Sequence, residues 1–131
     1  MSTTLRVRFH ELDPYGHVNH AVYLSYLEAA RIDLLGARGI DLLRLAEETG
    51  AQLVVVGLEV EFLAPAVAGD ELEVTCDVLE RRRASVWFAQ EIRRGRGVLV
   101  RARVRTATLD RRDRAARLPA ALAAALDAEA A

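Results

Sequence analysis

Ala51-Gln52-Leu53-Val54-Val55-Val56-Gly57-Leu58-Glu59-Val60-Glu61-Phe62-Leu63-Ala64-Pro65 is where the period of the chain changes. From Val54 to Leu63 the pattern is that of a long strand. Leu58, Val60 and Phe62 alternate with Glu59 and Glu61 at a period of two. Ala64-Pro65 closes it, because proline has no N–H to give to a ladder. Downstream the same period returns three times. Gly69-Asp70 marks a turn, and residues 71–80 place Leu72, Val74, Cys76 and Val78 on one face. Arg81–Arg83 is the next turn. Residues 84–93 bury Val86, Phe88 and Ile92, and Gly95-Arg96-Gly97 turns the chain again. Residues 98–109 send Val98, Val100, Ala102 and Val104 inward and Arg101, Arg103 and Arg105 outward. The short turns between the last three strands predict antiparallel hairpins.

Upstream of Gly50 the period is helical. Asn19 is a good N-cap. Behind it Tyr23, Tyr26, Leu27, Ala30 and Leu34 fall on one stripe, with Ser25, Glu28 and Ile32 toward the other side. Gly36 or Gly39 ends that helix, and a short helix follows over residues 42–48. Before it, residues 4–10 alternate Leu5, Val7 and Phe9 against Arg6, Arg8 and His10, which predicts a first strand. Asp13-Pro14-Tyr15-Gly16 fits a type I turn. The tail, 118–129, reads as a terminal helix starting near Pro119. The order is strand, helix, then four strands. One helix covering one face of such a sheet gives a two-layer α+β domain. The helix is apolar around much of its girth, as expected if a five-stranded antiparallel sheet wraps around it.

The chain has 131 residues, enough for one domain spanning 1–131. Hydrophobic residues make up 52% and charged residues 28%, which excludes a disordered chain. No stretch approaches the roughly 18 apolar residues of a membrane span. The N-terminus has neither the basic nor the apolar region of a secretory signal. The single cysteine, Cys76, excludes an intramolecular disulfide framework and an all-cysteine zinc site, and its strand position reads as core. Together these features point to a cytoplasmic protein. The net charge of −1 hides an asymmetry: residues 1–80 hold 5 arginines against 14 acids, and residues 81–117 hold 13 against 3. Near-neutral charge and few aromatics speak against a nucleic-acid partner.

The densest polar cluster is His10, Glu11, Asp13, His17, Asn19 and His20. It lies between a strand and a helix start. The first amides of a helix have no intrahelical acceptor, and the helix dipole adds partial positive charge. Such a place stabilises an oxyanion, and a carboxylate just upstream serves as base or nucleophile beside it. The three histidines with Asp13 are a ligand set that zinc accepts. Their spacing matches no helix-based ligand pattern, so no metal is expected.

Asp13-Pro14-Tyr15-Gly16-His17-Val18-Asn19-His20, then Tyr23 and Glu28-Ala29-Ala30-Arg31, resembles the signature of hotdog-fold acyl-CoA thioesterases, in the branch typified by 4-hydroxybenzoyl-CoA thioesterase. Residues 4–119 carry the likeness, including Pro65, the Gly69-Asp70 turn and Pro119. The resemblance implies a hotdog domain that hydrolyses an acyl-CoA or acyl-carrier-protein thioester to free acid and thiol. It implies Asp13 as the catalytic carboxylate and the His20 backbone N–H as the group that polarises the carbonyl. Tyr23 would line the acyl pocket, Gly16 would let the loop approach the substrate, Asn19 would cap the helix beside it, and His17 is a further catalytic candidate. Another branch places a catalytic glutamate on this helix. With Asp13 in that role, Glu28 is left to face the substrate or to pair with Arg31 one turn on. The family's sites lie between subunits, so a homodimer or homotetramer is implied. No cofactor is expected, coenzyme A being part of the substrate.

The arginines divide by position. Arg101, Arg103 and Arg105 share a strand face, and the family's strand order sets them beside Glu59 and Glu61 as cross-strand pairs. Arg81, Arg82, Arg83, Arg93, Arg94 and Arg96 lie at turns, where no strand partner is forced. They are the candidates for coenzyme A phosphates, with Arg81–Arg83 as the substrate-binding set. Two other functions share the fold: a non-catalytic acyl-thioester binder, and a hydratase or dehydratase.

Overall fold

The computed structural model describes residues 1–128. Strand β1 (Ser2–Arg6) is followed by a one-turn 3-10 helix (Phe9–Glu11) and the long helix α1 (His20–Ala37). Helix α2 (Leu42–Thr49) comes next. Five strands then follow: β2 (Gln52–Phe62), β3 (Glu71–Thr75), β4 (Asp77–Arg81), β5 (Ser85–Arg94) and β6 (Gly97–Leu109). Helix α3 (Ala120–Asp127) closes the described chain, and position 129 of the expected terminal helix lies outside the described residues. The strands form one antiparallel sheet in the order β1-β3-β5-β6-β2, with β4 paired to β5.

Helix α1 lies across one face of this sheet. Its expected stripe is buried: Tyr23, Tyr26, Leu27, Ala30 and Leu34 are each at most 5% exposed. They meet a floor of Leu72, Val74, Phe88, Ile92, Val100 and Val104. Burying a side chain of this size contributes roughly 1.5–3 kcal/mol. The helix starts where the sequence says. Asn19 is the N-cap, and its Oδ1 accepts the Ala21 N–H at 2.9 Å. Helix α2 is capped by Asp41, which accepts from Leu43 and Arg44 N–H, and is closed by Gly50 at φ +78°.

The first expected strand is shorter than its alternation suggests. The ladder stops at Arg6, and Phe9 is 86% exposed. Glu11 accepts the Arg8 N–H at 2.8 Å, which winds the chain into the 3-10 turn instead. The expected third strand is two strands, giving six in place of five. Its ladder breaks at Thr75–Cys76. There the Thr75 hydroxyl accepts the Glu91 N–H, the Gln90 side chain donates to Thr75 O, and Cys76 N–H turns to Met1 O. Cys76 is buried in the core, as expected, and burial pushes its thiol up to about 12.

Two expected ion pairings change. Glu59 stands opposite Arg103 and Glu61 opposite Arg101, in the expected register. Yet Arg101 bonds Glu91 of β5 at 3.0 Å, and among the described residues neither Glu59 nor Glu61 has an ion pair within 4 Å. Glu28 and Arg31 do not pair either. Arg31 turns inward, is only 9% exposed, and donates to Gln90 Oε1 at 3.0 Å.

Candidate active site

Residues 12–18 fold back on themselves. Leu12 and Val18 form an isolated bridge, and the Asp13 N–H donates to His17 O at 2.6 Å. Gly16 N–H returns to Asp13 O at 3.1 Å, closing the expected turn, and Gly16 takes φ +81°, which a side chain would strain. The Asp13 carboxylate organises this loop through one oxygen only. Its Oδ1 accepts the Tyr15 N–H at 2.8 Å and the His17 N–H at 3.1 Å. No described residue bonds to Oδ2. The loop thereby holds a half-buried carboxylate, its second oxygen unbonded among the described residues, in the segment that leads into α1.

The first amides of α1 are not equivalent. Ala21 N–H goes to the Asn19 side chain, and Val22 N–H goes to Asn19 O at 2.9 Å. The His20 N–H has no acceptor among the described residues. It is the donor the cap leaves available, at the positive end of the helix dipole. The His20 and His17 side chains are exposed and make no hydrogen bond among the described residues. His10 lies in the 3-10 turn, away from this loop's own bonds.

Sequence reasoning missed what holds the loop. Val18 N–H donates to Ala66 O at 2.9 Å, and His17 bridges Val67. Ala66 N–H in turn donates to the Tyr23 hydroxyl at 3.1 Å. Tyr23 is 4% exposed, and its ring packs against Tyr26 and Phe62. It is therefore a strut between α1 and the β2–β3 loop. Glu11 is also occupied: besides Arg8 N–H it accepts from the Tyr26 hydroxyl at 2.9 Å, and burial first, with this bond after it, raises the Tyr26 pKa. The Pro65 and Gly69-Asp70 signals marked this second loop as a turn, but gave no sign that it supports the first.

The second loop is pinned by Asp70. Its Oδ2 accepts the Val67 N–H at 2.9 Å and Arg94 Nη1 at 2.6 Å. The Val67 amide first, and Arg94 after it, hold this carboxyl below the usual aspartate range, against the opposing effect of burial. A depressed carboxyl stabilises the fold above its ordinary pKa of about 4, and that contribution is lost as pH falls through the folded value. Asp70→Asn should thus be less stable than wild type at neutral pH. The difference should close below about pH 4 in denaturant titrations; a gap that stays constant down to the acid transition would contradict it.

Most of the turn arginines are not free. Arg81 pairs with Asp127, Arg82 with Glu80, Arg93 with Glu91 and Arg94 with Asp70. Arg83 has no ion pair among the described residues, and neither has Arg117, which joins Arg81–Arg83 around one open groove. This groove is far from Asp13. Arg94, at one end of β5, bonds Asp70 in the loop that supports the Asp13 loop, whereas Arg82 N–H bonds Ser85 O at the other end. Nine steps of about 3.3 Å separate those ends, roughly 30 Å. Within one chain, the structure does not bring Asp13 and Arg81–Arg83 together. On the outer face of the sheet lies a trough of acids and arginines that includes the Glu91–Arg93 and Glu91–Arg101 pairs. Among the described residues no three His, Cys, Asp or Glu side chains gather as a metal site, and no helix is long and apolar enough to cross a membrane.

Comparison with known proteins agrees with this architecture. The family model of the thioesterase-like superfamily matches residues 7–126. The long-chain acyl-CoA thioesterase FadM of Escherichia coli is 35% identical over 70% of this chain and 68% of its own length. The acyl-CoA thioesterase YbgC of Haemophilus influenzae is 32% identical over 83% of this chain and 80% of its own. The crystal structure of protein TT1821 from Thermus thermophilus superposes with a TM-score of 0.89 at 35% identity, covering 95% of both chains. The chain belongs to the thioesterase-like superfamily and carries its hotdog fold.

Proposed function

We propose that this chain hydrolyses an acyl thioester of coenzyme A, or of an acyl carrier protein, with Asp13 and the start of α1 as its reacting centre. One observation carries the reading. A carboxylate with one oxygen committed to its loop and the other unbonded among the described residues lies in the segment leading into a helix start whose His20 N–H is unused. The free oxygen takes the proton of a water, which attacks the thioester carbonyl carbon. Negative charge gathers on the carbonyl oxygen, where the His20 amide and the helix dipole stabilise it. The C–S bond then breaks, and the thiol leaves with the proton. A direct attack by the same oxygen, followed by hydrolysis of the anhydride, uses the same groups. Neither route calls for a metal or a cofactor. Release of free thiol from a panel of acyl-CoAs and acyl-carrier substrates tests the reading. No release from any member, beside double-bond hydration of crotonyl-CoA, would favour the hydratase alternative.

The working unit we propose is a homodimer or a higher homo-oligomer. Strand β2 is paired on one side only, by β6. Val55, Val56, Leu58, Phe62 and Leu63 are 43–52% exposed on or beside it. An unpaired edge with contiguous exposed apolar side chains favours a self-complementary contact. Antiparallel pairing of two β2 edges sets the far end of one sheet alongside the near end of the other. The arginine groove of one copy then comes to the side of the sheet that carries Asp13 of its mate. Arg83 and Arg117, without an ion pair among the described residues, are the phosphate ligands of choice in this arrangement. Their joint replacement by alanine should raise KM for acyl-CoA about tenfold with little change in kcat, because the phosphates are remote from the carbonyl. The same variant should treat an acyl-pantetheine, which lacks the nucleotide, like wild type. Equal effects on both substrates would assign these arginines to the fold.

A further inference from the structure

A second polar pair lies farther along α1, outside the reacting centre. Leu24, Glu28 and Arg31 follow one another at helical spacing on the face turned toward β2. Two cavities of about 230 and 350 Å³ flank them, walled by side chains such as Leu27, Val55, Leu58 and Leu53. Glu28 and Arg31 line both cavities, and are the only charged residues that do among those described. Arg31 is nine-tenths buried, yet has no carboxylate within 4 Å among the described residues, and one hydrogen bond, to Gln90. Four of its five N–H groups are left without an acceptor among those residues. Burial lowers its pKa, the sign of a poorly compensated charge. Among the described residues its unbonded nitrogens are not sealed off, so an oxygen entering from either cavity can reach them.

We propose that this apolar groove along α1 receives the acyl chain, and that Glu28 and Arg31 read a hydroxyl group on its distal part. The proposal rests on the thioester reading above. A hydroxyl accepts from Arg31 and donates to Glu28 with one oxygen, which neither a plain alkyl chain nor a carboxylate can do. A carboxylate would satisfy Arg31 but meet the like charge of Glu28. The length is set by the helix. Arg31 lies eleven residues beyond His20, about 16 Å along the axis, and its side chain leans back toward the N-terminus. An extended chain advances about 1.2 Å per bond, so the hydroxyl falls ten to thirteen bonds from the carbonyl.

Calorimetric binding of dodecanoyl-CoA, 12-hydroxydodecanoyl-CoA and dodecanedioyl-CoA to the Asp13→Asn protein tests this without turnover, alongside hydrolysis by wild type. The hydroxylated chain should bind at least about tenfold more tightly than either of the others, because a site built to bond a hydroxyl is left unpaired by its absence. Arg31→Met should bring the ratio of hydroxylated to plain chain close to one. Glu28→Leu, at an exposed position on that same face of α1, should do the same if the arginine variant fails to fold. Equal affinities for the plain and hydroxylated chains, tightest binding of the dicarboxylate, or a preference that survives both variants would each overturn the proposal. Preferential binding with no hydrolysis of any acyl-CoA by wild type would keep this site and reject the hydrolytic reading; hydrolysis without preference would do the reverse.

Discussion

Asp13→Asn should lower thioester hydrolysis by about 10²–10⁴-fold, the range that a general base contributes, and leave the fold in place. The two functions of this side chain are separable. Its Oδ1 accepts the Tyr15 and His17 amides, and an asparagine carbonyl can accept both in the same geometry. The loop should therefore keep its turn, its bridge to Val67 and its bond to Ala66. What changes is the other oxygen, which becomes an amide nitrogen with no basic lone pair. A covalent role for Asp13 would cost at least as much. Free-thiol release measures the rate, and circular dichroism with thermal melting verifies the fold. A folded variant that keeps more than a tenth of the wild-type rate would remove Asp13 from the reaction, since tenfold corresponds to only about 1.4 kcal/mol of barrier.

The fold was largely legible because its determinants are local. The change of period after Gly50, the Asn19 cap and the glycines at the turns each act within a few residues. Register followed from them: Arg101 and Arg103 do oppose Glu61 and Glu59. The failures came where a side chain competes with the backbone ladder. Glu11 draws Arg8 N–H out of the first strand, and Thr75 and Gln90 interrupt the third. Both effects depend on partners that alternation does not register. Phe9 shows the limit plainly. It continues a perfect period-two pattern and is almost fully exposed.

The site divides in the same way. Asp13, Gly16, Asn19 and the His20 amide share one loop and one cap, so eight consecutive residues suffice to place them. The support for that loop is long-range. Ala66 reaches Val18 and Tyr23, and Arg94 reaches Asp70, across separations that no local pattern encodes. Turn arginines read as free proved mostly paired, because a turn position excludes a strand partner but not an acid from another element. Arg31 is the converse. Its spacing offers it as the partner of Glu28 one turn away, and it bonds the buried Gln90 of β5 instead. Only the assembled sheet shows that an arginine faces the apolar groove.

Val22→Pro should cost about 10²–10³ in rate, the usual loss of one oxyanion donor, and more than its cost in stability implies. The sequence alone leaves the Val22 amide without a partner. The structure gives it one, Asn19 O at 2.9 Å, and this sharpens the expectation. Proline removes that bond, and its ring disfavours helical geometry at Ala21, the residue before it. Ala21 N–H is the one that Asn19 Oδ1 holds. Both halves of the cap are then loosened, and the His20 amide they orient swings off the carbonyl. Proline in the first turn is tolerated far better than in a helix interior, so the folded protein should persist. Two controls isolate the backbone. Val22→Ala trims a half-buried side chain but keeps the N–H, and should hold its kcat within a few-fold of wild type. Ala21→Ser, at an exposed position, should change little, because its amide stays in the cap. The decisive quantity is kcat of the proline variant relative to Val22→Ala, measured at equal oligomeric state and below the melting transition of both. If the two are equal, the start of α1 does not hold the oxyanion, and the free N–H of His20 would be a feature of capping alone.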